Sequence, residues 1–373
     1  MNPKMKICFL ADASSIHTFK WVRYFSQKGY QIAVISLKPA TFDYQGIKIF
    51  QIKRINFPIK PLSHLINFLP IIFQIWQVKK REKPAVFHAL GSSNGWLAVF
   101  ACCYPLIYTI ADPGILSIPF QRKLPFIYRI LDKCAIKRAN LLVCDGENIK
   151  EAMIKLGAVP SKIKLIRYGV DTEKFKPGQA NLDLKKKLFK ENDKIIISTK
   201  PLRRECAVET LIRAAPLILK EVPEVGFLII GDGEEKERLV RLAKSLGVLN
   251  KIQFVGWVSP EDLPQYFNLA DIFVCTSLVD TGLASSTAEA MACGLPVVLS
   301  DSGDNKLIVK DGENGFIFPL KNSRVLAKKI ISLLKDEKLR QKFSLIHRQW
   351  IEKNNNYQKE MAKIEKTYQS FKK

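Results

Sequence analysis

The chain is poor in the groups that build metal and nucleophile sites. It has 4 histidines in 373 residues. Its eight cysteines, Cys8, Cys102, Cys103, Cys134, Cys144, Cys206, Cys275 and Cys293, form no C-x-x-C pair, and none has a histidine at ligand spacing. That excludes the usual structural zinc frameworks. Most cysteines sit in apolar runs such as "KICFL" and "IFVCT", and read as reduced core residues of a cytoplasmic chain. No uninterrupted run of 18 apolar residues occurs. The nearest, "PLSHLINFLPIIFQIWQV", is broken by His64, Asn67, Pro70, Gln74 and Gln77, which argues against a spanning helix. The start, "MNPKMKICFLADASS", is too short in its apolar part for a secretory signal. A Walker "GK[ST]" and an acidic D-x-D are both missing. ATPase and D-x-D metal chemistry therefore fall away.

Acidic residues are scarce in one half only. The net charge is +24. Residues 1–190 carry 31 basic and 11 acidic side chains, against 28 and 24 in residues 191–373. The excess therefore lies in the N-terminal half, and points to an anionic partner there, a membrane surface or an anionic glycolipid. Nucleic acid fits the charge, but no recognition motif or stacking platform accompanies it, so it is not expected as a partner.

What is present is a repeated alternation of apolar runs and amphipathic stretches. "KICFLAD", "YQIAVISL", "AVFHAL", "PLIYTIA", "NLLVCDG" and "KIKLIRYGV" read as strands with helices between several of them. After "DTEKFKPGQANLDLKKK" a second series follows: "KIIIST", "VGFLIIGDG", "IQFVG", "IFVCTS" and "PVVLSD". Such β-α-β series imply parallel sheets covered on both faces. The expected fold is α/β, with two doubly wound Rossmann-like domains facing a cleft. The expected domains are residues 1–180, residues 181–350, and a terminal helix from 351 to 373 packing back on the first domain.

Ligands of open α/β sheets bind at the carboxyl ends of strands. Four stretches there carry polar chemistry. "STKPLRRE" puts Lys200, Arg203 and Arg204 after the first strand of the second series, placed to hold a diphosphate. "TSLVDTGLASSTAEAMACGLPVV" places Gly282, Ser285, Ser286 and Thr287 before a helix, with Glu289 expected in its first turn. Ser14, Ser15 and His17 mark the first strand-to-helix turn of the chain as an acceptor or phosphate loop. His88 and Asp112 end two further strands. "GDG" at Gly231–Gly233 reads as a strand-to-helix turn.

Four motifs together carry a resemblance: "RYGVDTEKFKP" (167–177), "FVGWVSPEDLPQYFNLADIFVCTS" (254–277), "EAMACGLPVV" (289–298) and "IVKDGENGFIFP" (308–319). Over nearly the whole chain the sequence resembles a family 4 glycosyltransferase of GT-B architecture, and "SIHTFKW" resembles a branch tied to polysaccharide or glycolipid assembly. The resemblance implies transfer of a sugar from a nucleotide diphosphate sugar to a glycan or lipid-linked acceptor. It further implies retention at the anomeric carbon and no metal or other cofactor. It implies that Glu289 binds the nucleotide ribose, and that backbone near Gly256 and Trp257 contacts the base. Gly282, Leu283, Ser285 and Ser286 would then surround the donor. The family's first acidic residue of E-x7-E falls on Thr281, with Asp280 beside it as the displaced partner. Lys200 falls on the family's arginine. Its "KG" reads Cys206–Ala207, leaving Arg203 or Arg204 as the substitute, and its N-terminal histidine reads Ala111, next to Asp112. The chain is then expected in the cytoplasm, peripheral on the inner face of the plasma membrane. The rival expectations are a catalytically weak partner subunit and a soluble sugar-nucleotide epimerase.

Overall fold

The computed structural model describes residues 4–54, 60–111, 113–116 and 125–371. They divide into two compact units, residues 1–168 with 360–373, and residues 169–359.

The first unit runs β1 (Lys4–Leu10), α1 (Ile16–Gln27), β2 (Tyr30–Ser36), β3 (Lys48–Gln51), α2 (Lys60–Glu82), β4 (Val86–Leu90), α3 (Ser92–Phe100), β5 (Leu106–Ile110), α4 (Pro125–Arg138), β6 (Leu141–Cys144), α5 (Glu147–Lys155) and β7 (Ile163–Leu165). All seven strands are parallel, in the order β3-β2-β1-β4-β5-β6-β7. Strand β5, "LIYTI", is buried along its whole length, as a strand covered on both faces must be.

The second unit runs α6 (Leu182–Leu188), β8 (Lys194–Thr199), α7 (Glu209–Glu221), β9 (Val225–Ile230), α8 (Lys236–Ser245), β10 (Ile252–Gly256), α9 (Leu263–Phe267), β11 (Ile272–Cys275), α10 (Ser285–Ala292), β12 (Val297–Ser300), α11 (Asn305–Ile308), β13 (Phe316–Phe318), α12 (Ser323–Lys335) and α13 (Glu337–Asn354). Its six parallel strands are ordered β10-β9-β8-β11-β12-β13. One apolar cluster lies on each face of this sheet, the first around Ile196, Phe227 and Leu326, the second around Ile197, Phe273 and Met291. Each unit is thus a Rossmann-like doubly wound sheet. Strand order reverses beside β1 and β4 in the first, and beside β8 and β11 in the second, which makes those points the natural ligand sites.

The change from one unit to the other falls after Tyr168 rather than at residue 180. Gly169 is the reason. Its φ is +75°, and a Cβ there would stand 2.5 Å from the Tyr357 backbone, so only glycine lets the two segments meet. The Val170 amide donates to the Asn355 carbonyl at 2.8 Å, and the Tyr357 amide donates to the Val170 carbonyl at 2.8 Å. Arg348 then ties the following loop down, donating to the carbonyls of Thr172, Phe175 and Ala292. The last helix, α14 (Tyr357–Gln369), begins in the second unit and belongs to the first from Glu360 onward. There Tyr368 is fully buried against Phe25, Tyr30 and His88, and the Glu360 carboxylate accepts the Arg167 amide at 2.9 Å.

Candidate active site

At the carboxyl ends of β8, β9 and β10 the second unit encloses a cavity of about 260 Å³. Its walls are Thr199 at the end of β8 with Lys200 and Pro201 after it, Gly231 and Asp232 after β9, Trp257 and Val258 after β10, and Ser286 from α10, closed by Ile230 and Leu263. The "GDG" turn is built into this wall. Gly231 has φ +132°, and a Cβ there would meet the Lys200 carbonyl oxygen at 2.0 Å. The close approach lets the Lys200 amide donate to the Ile230 carbonyl and the Leu202 amide to the Asp232 carbonyl, each at 3.0 Å. The Gly231 amide reaches the Gly256 carbonyl at 2.8 Å, so Gly256 locks the ends of β9 and β10 together. Trp257, next along, is 73% exposed, an indole offered to a flat partner.

Lys200 is the buried charged group of this cavity; Asp232 on the same wall is exposed and pairs with Lys236 at 3.4 Å. The Lys200 ammonium lies 3.1 Å from an Asp280 carboxylate oxygen, with side-chain exposures of 8% and 10%. The second Asp280 oxygen accepts from the Cys275 thiol at 3.6 Å. Burial works against the charge on Lys200. The neighbouring Cys275 and Asp280 outweigh it and raise its pKa above the ordinary lysine value. Burial also raises the Cys275 thiol, which is therefore neutral near pH 7, and leaves Asp280 as the negative partner. Lys200 follows β8 and Asp280 follows β11, so the ion pair bridges the point where strand order reverses. Thr199 adds a buried hydroxyl on the same wall that has no hydrogen-bond partner among the described residues.

The loop that carries Asp280 is fixed from behind. Gly303, at φ +55°, lies so close that a Cβ would stand 2.8 Å from the carbonyl oxygens of Asp280 and Gly282. The Asp304 amide donates to the Gly282 carbonyl at 3.2 Å, and the Ser300 hydroxyl to the Ser277 carbonyl at 2.6 Å. Leu283 packs on the apolar cluster beneath, and Ser285 is exposed.

Glu289 stands differently from expectation. Helix α10 starts at Ser285, with Ala284 extended before it, and its first turn holds no acidic residue. Glu289 is therefore in the second turn, half-buried, three residues beyond Ser286 and on the same side of the helix. The helix dipole acts on it less than on a first-turn residue. Burial and the nearby Glu289 push the Cys293 thiol up to about 12.

Arg203 and Arg204 do not join the cavity. Both are exposed, and the Arg204 guanidinium pairs with Glu235 at 3.6 Å. Their loop is drawn elsewhere, because the Thr276 hydroxyl donates to the Cys206 carbonyl at 2.7 Å and the Leu278 amide to the Glu205 carbonyl at 2.8 Å. Sequence reasoning had missed Thr199, Pro201, Val258 and Leu263. Their signal was positional, since each lies within a few residues of a strand's carboxyl end or opens the next helix.

In the first unit the turn after β1 is already satisfied. Asp12 accepts the Ser14 amide at 2.9 Å and the Ser14 hydroxyl at 2.6 Å, and pairs with Lys38 at 2.7 Å. Burial opposes the charge on Asp12, but Lys38 and Ser14 outweigh it and hold the carboxyl below its ordinary range. Ser15 caps α1 by position only, with no side-chain hydrogen bond. His17 is half-buried with its ring 4.3 Å from Tyr168; burial, then Lys20, lowers its pKa to about 4. His88 is a correction. It is fully buried, with Nδ1 2.5 Å from the Tyr368 hydroxyl and Nε2 2.6 Å from the Thr109 hydroxyl. Both ring nitrogens are taken within the core, so it is no ligand contact. Asp112 lies outside the described residues.

Comparison with known proteins decides the family. Residues 180–350 match the model of the glycosyl transferases group 1, and residues 6–146 that of the glycosyl transferase 4-like family. An uncharacterized glycosyltransferase of Methanocaldococcus jannaschii is 30% identical over 335 residues, 83% of this chain and 82% of that protein. The chain belongs to the group 1, family 4-like glycosyltransferases. The UDP-Gal:alpha-D-GlcNAc-diphosphoundecaprenol alpha-1,3-galactosyltransferase of Escherichia coli is 28% identical over 266 residues, 69% of this chain and 68% of that enzyme. Matches to other curated relatives span as little as 45% of the relative's own length. Among solved structures, HepE of Anabaena in complex with UDP and glucose superposes with a TM-score of 0.82 at 20% identity, covering 98% of this chain and all of that one, which shows the GT-B fold.

In this glycosyltransferase one departure from the expected motif has a visible backbone signature. Ala207, standing for a glycine, sits at φ 45° and ψ 40°, the left-handed region. Glycine adopts that conformation without strain and alanine does not.

Proposed function

We propose that this glycosyltransferase moves a hexosyl group from a nucleotide diphosphate sugar, held in the second unit, to a glycan or lipid-linked acceptor, with retention, in cell-surface polysaccharide or glycolipid assembly. The observation that carries the reading is the buried Lys200 in the wall of a cavity otherwise made of apolar groups, hydroxyls, Trp257 and the exposed Asp232, which pairs with Lys236. A lone lysine at a strand-order reversal suits a diphosphate. Its ammonium would stabilise the negative charge that grows on the leaving diphosphate as the glycosidic bond breaks, a role that needs no metal or other cofactor. Thr199 and Ser286 would give hydroxyls to phosphate or sugar oxygens, Glu289 would accept from the ribose, and Trp257 would cover the base. Asp280 would leave Lys200 to the diphosphate and turn to the sugar. HepE binding UDP and glucose, and the Escherichia coli enzyme acting on a diphosphoundecaprenol, support the donor and acceptor classes. The reading places the chain in the cytoplasm, peripheral on the inner face of the plasma membrane. Among the described residues no helix is long and apolar enough to cross a membrane. A partner subunit without chemistry is not favoured, because the altered positions leave Lys200 and the cavity in place.

The test is a thermal-shift and calorimetric panel of nucleoside diphosphates and their sugars on the wild type and Glu289→Ala. Stabilisation by one nucleotide, lost in the variant, is expected. Indifference to every nucleotide would overturn the donor site.

A further inference from the structure

The motif "IVKDGENGFIFP" (308–319) gives no residue to the donor cavity, yet it builds a second one. A hollow of about 540 Å³ opens beside the carboxyl ends of β12 and β13, between α11 and α12. Small-molecule sites span roughly 300–1,000 Å³, so it is of ligand size. The donor cavity lies at β8, β9 and β10, and no residue lines both. Parallel sheets take ligands outside the carboxyl ends of their strands, and the hollow meets that rule toward the opposite edge of the same sheet.

Its floor is apolar, with Val309, Ile317 and Phe318 all buried. Around the floor three cations, Lys306, Lys310 and Lys329, meet two carboxylates, Asp301 and Asp311. Most of these are engaged. Asp311 accepts the Ile317 amide at 3.0 Å and pairs with Lys329 at 2.8 Å. Lys329 also stands 4.7 Å from the Phe316 ring centroid, so that side of the wall is fixed. Lys306 pairs with one Asp301 oxygen at 2.5 Å. Two groups remain. The other Asp301 oxygen and the Lys310 ammonium have no partner among the described residues. The Lys310 backbone is nevertheless held, its amide donating to the Asn314 side chain at 2.7 Å and its carbonyl accepting the Glu313 amide at 3.0 Å. The hollow thus offers one open cation and one open acceptor over an apolar floor.

We infer that this hollow is a second ligand site, and that it takes a small sugar phosphate. The phosphate would meet Lys310, with Lys306 beside it as a second donor. A sugar hydroxyl would donate to the open Asp301 oxygen, and the C–H face of the ring would cover Val309 and Ile317. The wall disfavours the simpler ligands. Inorganic phosphate gains the lysines but meets the repulsion of Asp301 and uses no acceptor. A neutral sugar leaves Lys310 unmatched. A nucleotide base finds no exposed ring to stack on, because Phe318 is fully buried, whereas the donor cavity has Trp257. The inference goes beyond the proposed function and does not depend on it.

Calorimetry of the full chain with glucose 6-phosphate, inorganic phosphate and glucose, each alone, tests it. Glucose 6-phosphate is expected to bind about tenfold more tightly than either of the others, since it alone engages both open groups. Lys310→Gln should weaken it about tenfold. Asp301→Ala should remove its advantage over inorganic phosphate. Lys310 is exposed and Asp301 half-buried, and a surface ion pair adds little stability, so both variants should melt as the wild type does. Lys200→Met with Asp280→Asn alters only the donor cavity and should leave this binding unchanged. Absence of binding, equal binding of inorganic phosphate, or indifference to Lys310→Gln overturns the inference. Loss in the Lys200→Met, Asp280→Asn chain also overturns it, and gives the sugar phosphate to the donor cavity. The nucleotide panel stays separate: nucleotide binding without glucose 6-phosphate binding fails only this inference, and the reverse fails only the donor site.

Discussion

Consider Lys200 replaced by methionine, a change that keeps the shape of the side chain and removes its charge. Asp280 then remains nearly buried without a counter-ion. Two charges 3.1 Å apart attract by about 5 kcal/mol at an effective dielectric of 20, but most of that offsets desolvation. Removing one partner of such a pair costs about 3–5 kcal/mol, while replacing both by neutral isosteres costs far less. Lys200→Met is therefore expected to destabilise the second unit by about 3 kcal/mol, and Lys200→Met with Asp280→Asn by about 1 kcal/mol. With Asp280→Asn alone also costing about 3 kcal/mol, the double-mutant cycle in urea unfolding would show a coupling of about 5 kcal/mol. Ligand binding separates the two roles further. A diphosphate arriving at Lys200 meets the negative charge of Asp280, a repulsion of about 1 kcal/mol in a wet cavity at roughly 6 Å. Asp280→Asn should accordingly bind a nucleoside diphosphate about five to ten times more tightly, whereas Lys200→Met should lose binding. Calorimetry with the nucleoside diphosphate alone avoids any contact that Asp280 makes with the sugar. If Asp280→Asn weakened nucleotide binding as Lys200→Met does, the picture of Asp280 as a displaceable counter-ion would be wrong.

Two further outcomes follow from the backbone and the core. Ala207→Gly relieves a left-handed alanine at the cost of a more flexible unfolded chain, and should raise stability by about 0.5–1 kcal/mol in chemical denaturation; a loss would show that the Ala207 methyl packs better than it strains. Burial lowers the pKa of His88 to about 3 and that of His347 to about 4. Between those values and the ordinary 6.5 the unfolded chain binds the protons, so stability is level above pH 6.5 and falls as pH drops. At pH 5 each histidine should cost its unit about 2 kcal/mol, seen as a lower urea midpoint, and His88→Gln should lessen the slope of the first unit alone, leaving the share of His17, whose pKa is lowered to about 4.

The two sheets were legible because both are buried on both faces, and buried parallel strands read as continuous apolar runs. β3 was not, because "KIFQ" is four residues on an edge with no fully buried position. The location of Lys200 was readable from one fact, a cation one residue past a strand. Its partnership with Asp280 was not, because the two lie 80 positions apart and meet only through strand order. Arg203 and Arg204 looked equivalent to Lys200 in sequence. The turn after Pro201 is pulled toward Thr276 and Leu278, and that pull decides which cation faces the cavity. His88 looked like a ligand contact because it stands near a strand's carboxyl end with a small-residue loop after it, yet the distant Tyr368 closes over it and places it in the core. Glu289 was placed a turn too early because serine and threonine were taken to precede the helix, when they form its first turn.

The return of α14 to the first unit sets an order of events during synthesis. Domains generally fold as they emerge, at about 5–20 residues per second. The sheet of the first unit is complete when β7 leaves the ribosome, but the pocket around His88 and Phe25 lacks Tyr368 until the last helix is made. Roughly 190 residues separate the two parts, a delay of about 10–40 seconds. During that interval an apolar seam of the first unit stands open.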